Sequence, residues 1–431
     1  MLFENITYLA PDGRAVPNAY VGVRGNTIAY LAQTPPGEDF GERYDGSGKL
    51  LIPGFYNTHC HVPMTLLRGY GEGLSLQDWL FTRIFPFEER LTGEDVYWGS
   101  LLGIAEMLRT GTASFSDMYF FSDHTARAVL ESGIKCNLAR GITYNGDDAD
   151  YLSQPARQQS IALFEQYNGA GEGRLLVEFA VHAEYTCSEL CLRDYAELAA
   201  KYNTGLQLHL SETHTEHRQC KESRGGRTPA RVMADCGVFD VRALAAHCVH
   251  LEEEDIALLA EKGVGVAHNP SSNLKLGSGV APVRRMLDAG ITVGLGTDGA
   301  ASNNTLNMLK EAQLGLMMQC GAAQNSKELA PAEMLKMATA SGAQIQGRTG
   351  CGSIAQGNRA DLVVLDFDRP HIVPVHDPLA ALMFSAAGSD VALNMVDGRV
   401  LYRDGRFTTI DIRRVMDEVS RRAATIASQL A

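Results

Sequence analysis

Between residues 51 and 298 the chain repeats one unit, a short apolar or β-branched run followed by a stretch of helical periodicity. The runs lie at 51–59, 112–119, 134–141, 175–182, 205–209, 243–247, 264–268 and 291–298, and helical patterns at 93–110, 193–202, 252–262 and 282–289 stand among them. Apolar runs that recur with a helix after each belong to a parallel sheet covered by helices. Eight such units in one chain predict an α/β fold, a closed (β/α)8 barrel. The rival is an open doubly wound sheet. It expects a G-x-G-x-x-G after its first strand, and none follows here.

Both ends read differently. Residues 19–23, 27–31 and 49–52 are strand-like and separated by Gly, Pro and Asp. Residues 360–366 form another strand, and 391–396 and 399–402 flank Asp397-Gly398, a hairpin turn. The two ends are expected to meet in a small β-sandwich beside the barrel. The predicted division is 1–53 for the first part of the sandwich, 54–356 for the barrel, 357–410 for the second part and 411–431 for a terminal helix.

Composition narrows the partners. A formal net charge of −13 opposes unspecific binding to nucleic acid or an anionic membrane. The sequence shows no signal-peptide pattern and no apolar run long enough to span a bilayer. Nine scattered cysteines make neither a disulfide framework nor a zinc knuckle, and are expected as reduced, buried thiols in a cytoplasmic protein. A homo-oligomer is expected of a large apolar barrel.

The polar residues that matter fall at the C-terminal ends of the runs, where barrels of this kind carry their chemistry. His59 and His61 end the first and face one side of a strand, so both rings can meet one ion, and Cys60 between them points away as a packing thiol. His209 ends the fifth run, His247 the sixth and Asp298 the eighth. An isolated H-x-H is as well explained by two loop residues. Three histidines and a carboxylate at one barrel mouth are not, and they suit a divalent metal with an open position. The fourth run has no lysine to bridge a second ion, so one metal per subunit is expected. Zinc fits, and iron or manganese fits the same donors. Other residues read as structural: His214 and His217 as exposed on a helix, Glu252 to Asp255 as acids at a helix start, Met317 and Met318 as core. Trp79 and Leu80 suit a pocket wall or a subunit interface.

Pro53-Gly54-Phe55-Tyr56-Asn57-Thr58-His59-Cys60-His61, extended by Pro63 to Gly69, resembles the first-strand motif of the amidohydrolase superfamily. His268-Asn269-Pro270-Ser271-Ser272-Asn273-Leu274-Lys275-Leu276-Gly277 and Gly296-Thr297-Asp298-Gly299-Ala300-Ala301-Ser302-Asn303-Asn304 resemble its 5-methylthioadenosine/S-adenosylhomocysteine deaminases. The likeness runs from about residue 50 to about residue 410. It implies a zinc-dependent aminohydrolase that converts an adenosine analogue to the inosine analogue and ammonia. His59, His61, His209 and Asp298 are implied as metal ligands, Glu212 as proton shuttle, and His247 as the group that orients the attacking water. Asp298 also takes the proton that water releases. On the substrate side the likeness implies Glu88 for the ribose hydroxyls, with His182 and Arg140 for the rest of the nucleoside. One position departs. After Asn145 to Asp148 the relatives that accept S-adenosylhomocysteine carry an arginine, whereas this chain has Tyr151 and then Arg157. A carboxylate clamp is therefore not expected, and uncharged 5′ groups should be preferred. The alternatives are a free-base deaminase (guanine, 8-oxoguanine, cytosine), a triazine hydrolase on the same fold, and a non-catalytic metal-binding barrel.

Overall fold

A computed structural model describes every residue except Ser75, Asp147 and Ala431, and the side chains of residues 148 and 149. Ser75 follows Leu74, and Asp147 falls inside the Asn145 to Asp148 string; both lie outside the described residues. Eight parallel strands close into a barrel: β1 (Phe55–Cys60), β2 (Thr112–Tyr119), β3 (Lys135–Ile142), β4 (Leu175–Val181), β5 (Leu206–Leu210), β6 (Ala243–His247), β7 (Gly265–His268) and β8 (Val293–Leu295). Each falls on one of the expected runs. Leu295 pairs with Asn57 to close the ring. The strands are buried almost throughout, as a sheet covered on both faces requires, with Arg140, Gly141 and Leu176 only partly so. The expected helices also form, at Gly93–Arg109, Glu189–Lys201, Glu253–Glu261 and Val283–Asp288.

The two ends build a single nine-stranded sheet. Its seam is antiparallel, running from Pro53 opposite Leu362 to Lys49 opposite Asp366. Phe3, Ile6, Val21 and Ile28 from the first end share a core with Leu362, Val364, Leu393 and Met395 from the second. The sandwich expected from sequence is thus one hydrogen-bonded sheet folded over its own core. Its strand Leu2–Leu9 escapes the sequence pattern, because irregular register between Phe3 and Ile6 and between Ile6 and Tyr8 breaks the alternation that marks a strand. The Asp397-Gly398 hairpin forms, both residues with positive φ. The helix Ile412–Ser428 closes the chain and ties to the helix Gly93–Arg109 through Arg422 and Asp95, 2.8 Å apart.

Chain geometry at the junction is tight. Gly54 leaves the sheet and enters β1, and a Cβ there would stand 2.5 Å from that of Ala113. Below the barrel, Asn394 donates to the carbonyls of Leu108 and Thr112, both at 2.9 Å. Lys135 of β3 reaches the two oxygens of Asp361 at 2.6 and 2.7 Å and Asp397 at 2.9 Å, and Tyr56 of β1 donates to Asp361. Burial raises the Asp361 carboxyl, and the Lys135 charge outweighs it, leaving the group below its ordinary range. This buried network bolts the barrel floor to the sheet.

Replacing Lys135 with methionine strands two carboxylates in a dry site. The substitution should lower stability by about 3–5 kcal/mol, read as an earlier midpoint in urea unfolding. A midpoint equal to wild type would show that the network contributes nothing to holding the two parts together.

Candidate active site

The open end of the barrel gathers the expected residues. β1 delivers His59, and His61 follows it at the start of a short 3-10 turn, Val62–Leu67. β5 delivers His209 and β6 His247, and Asp298 lies just past β8. All are buried except His61, which is partly so. Asp298 Oδ1 lies 3.3 Å from His61 Nε2 and 3.6 Å from His59 Nε2, and His209 Nε2 lies 3.3 Å from His61 Nε2. The donor atoms of His59, His61 and His209 lie within 4.8 Å of one another, as do those of His59, His247 and Asp298.

The outward hydrogen bonds decide which nitrogen faces in. His61 Nδ1 meets the carbonyl of Met118 at 2.6 Å, and His209 Nδ1 meets that of His182 at 2.8 Å. A carbonyl only accepts, so both Nδ1 atoms carry hydrogen and both Nε2 atoms turn lone pairs inward. His59 Nε2 is buried with no hydrogen-bond partner. Lone pairs converging this closely repel unless a cation lies between them, and three imidazoles with one carboxylate are a fitting donor set for a divalent metal. The charge balance agrees. Burial holds His209 well below the ordinary histidine range and His59 near 4, the neutral ligand form. Burial also opposes charge on His61, but the hydrogen bond and charge of Asp298 overcome it and push the ring up to about 9; a bound cation takes that proton's place. Burial works against the Asp298 anion, yet the His59 and His61 rings that face it at 3.6 and 3.3 Å keep it well below the usual carboxylate range.

The backbone is strained where the chemistry lies. His247 and Asp298 have φ of 74° and 58°, a region costly for residues other than glycine. The Asp298 amide donates to the His59 carbonyl at 2.9 Å, which fixes this turn against β1. Gly296 permits the approach: a Cβ there would lie 2.3 Å from Asn269 Oδ1.

Several residues that carry this geometry were not assigned from sequence. Ser272 and Ser302 donate to Asp298 Oδ2 at 2.6 and 3.0 Å, and the Gly299 amide donates to Oδ1 at 2.8 Å. Asn273 Oδ1 meets His247 Nδ1 at 2.8 Å, which leaves Nε2 of that ring facing Glu212 Oε2 at 3.8 Å. Asp117 accepts from the Val62 amide at 2.5 Å and from Cys60 Sγ at 3.6 Å, holding the turn after β1. The signal for Ser272 and Asn273 was present in the string from His268 to Gly277, and that for Gly299 and Ser302 in the string from Gly296 to Asn304. Asp117 gives no such signal.

Glu212 is buried, and burial raises its carboxyl above the ordinary value. With His61, His182, His209, His247 and Asp298 it lines an inner chamber of about 280 Å³, walled by Trp79, Leu80 and Ile84. An outer chamber of about 890 Å³ opens beyond it past Phe81, Phe121 and Tyr144. Glu88, Arg140 and His182 border both. Glu88 accepts from Tyr119 at 2.6 Å, and burial pushes its carboxyl up to about 7. His182 is held near 4 by burial, with Nδ1 3.0 Å from the Thr186 hydroxyl. Arg140 contacts the Gln159 side chain at 3.1 Å and the Gly141 carbonyl, and burial lowers its pKa; no carboxylate among the described residues pairs with it. Tyr151 and Arg157 lie outside both chambers. Tyr151 is fully buried and donates to Asp194 at 2.7 Å, and Arg157 grips the same carboxylate at 2.7 and 2.8 Å.

Two structural readings are corrected. His217 is buried, not exposed, because Nδ1 meets the Ser211 hydroxyl at 3.2 Å and Nε2 meets Glu252 at 3.3 Å. Met317 is 54% exposed, because it falls on the outer face of the helix Met308–Ala323. His214 is exposed as expected, and Cys60 packs away from the site.

Comparison with known proteins agrees with this geometry. The pattern of the Amidohydrolase family matches residues 50–401. A 5-methylthioadenosine/S-adenosylhomocysteine deaminase of Dictyoglomus thermophilum is 42% identical over 424 residues, covering 98% of each chain. A 5′-deoxyadenosine deaminase of Methanothermobacter thermautotrophicus is 41% identical, covering 98% of this chain and 99% of that one. The crystal structure of an adenosine deaminase from Xanthomonas campestris with bound zinc superposes with a TM-score of 0.92 at 29% identity, covering 99% of this chain and 98% of that one. With matching motifs, a matching barrel and relatives aligned over nearly their whole length, the chain belongs to the amidohydrolase family.

Proposed function

We propose that this protein hydrolytically deaminates adenosine analogues, with 5-methylthioadenosine, 5′-deoxyadenosine and adenosine as the substrate class. The observation that carries the reading is the buried carboxylate Glu212 beside a three-histidine, one-aspartate donor set, in a chamber that a second carboxylate, Glu88, also lines. Deaminase relatives of high coverage support it. The zinc in the Xanthomonas campestris structure supports zinc as the ion, held by His59, His61, His209 and Asp298, one per subunit.

When bound, a divalent ion lowers the pKa of water toward neutrality and so supplies the nucleophile. The protein's own groups move the protons. Asp298 accepts a proton from the water as the oxygen bonds to purine C6, and Glu212 gives its proton to the ring nitrogen beside C6, so no ring anion accumulates. A carboxyl raised by burial suits that donor role. His247, with Nδ1 tied to Asn273, directs Nε2 toward the incoming water and Glu212. The proton on Asp298 passes to the amino group, the C6–N bond breaks and ammonia leaves, and the C6 hydroxyl returns its proton to Glu212 as it becomes the carbonyl. Water and the adenosine analogue thus yield the inosine analogue and ammonia.

Glu88 accepts from the vicinal ribose diol. The apolar outer chamber receives the 5′ substituent, with Arg140 as its one cation among the lining residues. Tyr151 and Arg157 are committed to Asp194, which supports a preference for uncharged 5′ groups over S-adenosylhomocysteine. Nine free cysteines support a reducing compartment, the cytoplasm. No helix among the described residues is long and apolar enough to cross a membrane.

The test is a panel of 5-methylthioadenosine, 5′-deoxyadenosine, adenosine, S-adenosylhomocysteine, guanine and cytosine, read by ammonia release and the adenine-to-hypoxanthine absorbance change. The adenosine analogues should turn over, with S-adenosylhomocysteine about tenfold or more lower in kcat/KM for want of a second charge-assisted hydrogen bond. Turnover of free bases alone would sink the nucleoside reading, and equal efficiency on S-adenosylhomocysteine would sink the preference. Glu212→Gln should lower kcat by about 10²–10⁴-fold with metal content unchanged.

Ionised Glu88 is the form that accepts from the diol, and its carboxyl titrates near 7. KM for 5-methylthioadenosine should therefore rise as pH falls from about 8 to about 6, and Glu88→Gln should raise KM about tenfold and flatten that dependence. A KM that ignores both pH and the substitution would remove Glu88 from the ribose site.

A further inference from the structure

Glu216 opens the helix His214–Ser223, and its side chain does more than cap that helix. In a capping box the N3 carboxylate accepts from the N-cap amide, here that of Thr213. That bond is the longest of its set, at 3.4 Å. The short ones run upstream into the turn: 2.7 Å to the Glu212 amide and 2.9 Å to the Ser211 amide. The box formed by Thr92 and Asp95 shows the ordinary case, with a single backbone bond of 2.9 Å to the cap residue itself. The Glu216 carboxylate is buried and spends both oxygens on these amides.

The turn it grips is strained and held from the other side as well. Ser211 has φ of 46°. Its carbonyl accepts from the amides of Val249 and His250, at 3.1 and 3.0 Å, just beyond β6. The peptide that leads into Glu212 is therefore clamped between a carboxylate on one face and the strand that delivers His247 on the other. Glu216 borders the outer chamber but not the inner one where Glu212 and His247 face each other. It touches neither the donor set nor the space for the reacting carbon.

We propose that Glu216 is a positioning residue that fixes the backbone of Glu212 and thereby the reach of the proton-transferring carboxyl. The inference rests on the role of Glu212 given above. A neutral amide in its place keeps one acceptor oxygen and turns an N–H group toward backbone donors, so the turn must shift. A displacement of about 1 Å at a proton-transfer site costs on the order of 10²-fold in rate.

The test is a double-mutant cycle on the metal-loaded enzyme with 5-methylthioadenosine. Glu216→Gln should lower kcat about 10- to 100-fold, with KM within about threefold of wild type and metal per subunit unchanged. In a Glu212→Gln background the same change should alter residual kcat by less than about twofold, since the residue acts through Glu212. Equal falls in both backgrounds, a fall that tracks lost metal, or an unchanged kcat in the wild-type background would each overturn the proposal. If Glu216→Gln does not fold, Glu216→Asp is judged by the same criteria, because its shortened carboxylate no longer reaches the turn. A wild-type enzyme inactive on every nucleoside would instead count against the proposed function.

Discussion

Two imidazole nitrogens, Nε2 of His61 and Nε2 of His209, face each other at 3.3 Å, and each ring donates its other N–H to a backbone carbonyl. That arrangement requires a positive charge between the rings, either a proton on His61 or a metal ion, and it suits a divalent metal. Much else at the barrel mouth serves to hold it. The carbonyls that orient the rings belong to Met118 at the end of β2 and His182 just past β4, so neighbouring strands set the tautomers. Asp298 supplies the balancing charge from a turn with positive φ, pinned by one backbone bond to His59 and by the hydroxyls of Ser272 and Ser302.

The carboxylates divide by environment. Asp298 keeps its charge because histidines face it, whereas burial raises Glu212, which lies 3.8 Å from His247. In the proposed reaction one is the proton acceptor and the other the donor, the split that acid–base chemistry at neutral pH requires. Glu88 lies further out, beside Tyr119, with its carboxyl pushed up to about 7, and in the proposed function it couples substrate binding rather than proton transfer to pH.

Much of this was legible in the chain. The eight apolar runs mark the barrel because each strand is buried on both faces and needs no alternation. The ligands stand out because histidines and an aspartate at strand ends have no packing role to explain them. The strand Leu2–Leu9 was missed because its bulges disrupt the two-residue period, and His217 was misread because its partners, Ser211 and Glu252, come from outside its own helix. The serines and asparagines behind Asp298 and His247 could be seen as a motif but not as contacts, since β7 and β8 meet only in the folded barrel. Glu216 had a local signal, Thr213-x-x-Glu216, yet the pattern announces a helix cap and says nothing of the two amides upstream.

The central claim is that these donors form one metal site that drives nucleoside deamination. Metal-free protein titrated with zinc, with ammonia release from 5-methylthioadenosine followed at each addition, tests it directly. Activity should rise in proportion to bound zinc and level off at about one ion per subunit. A plateau at two ions, or full activity in the metal-free protein, would contradict the account.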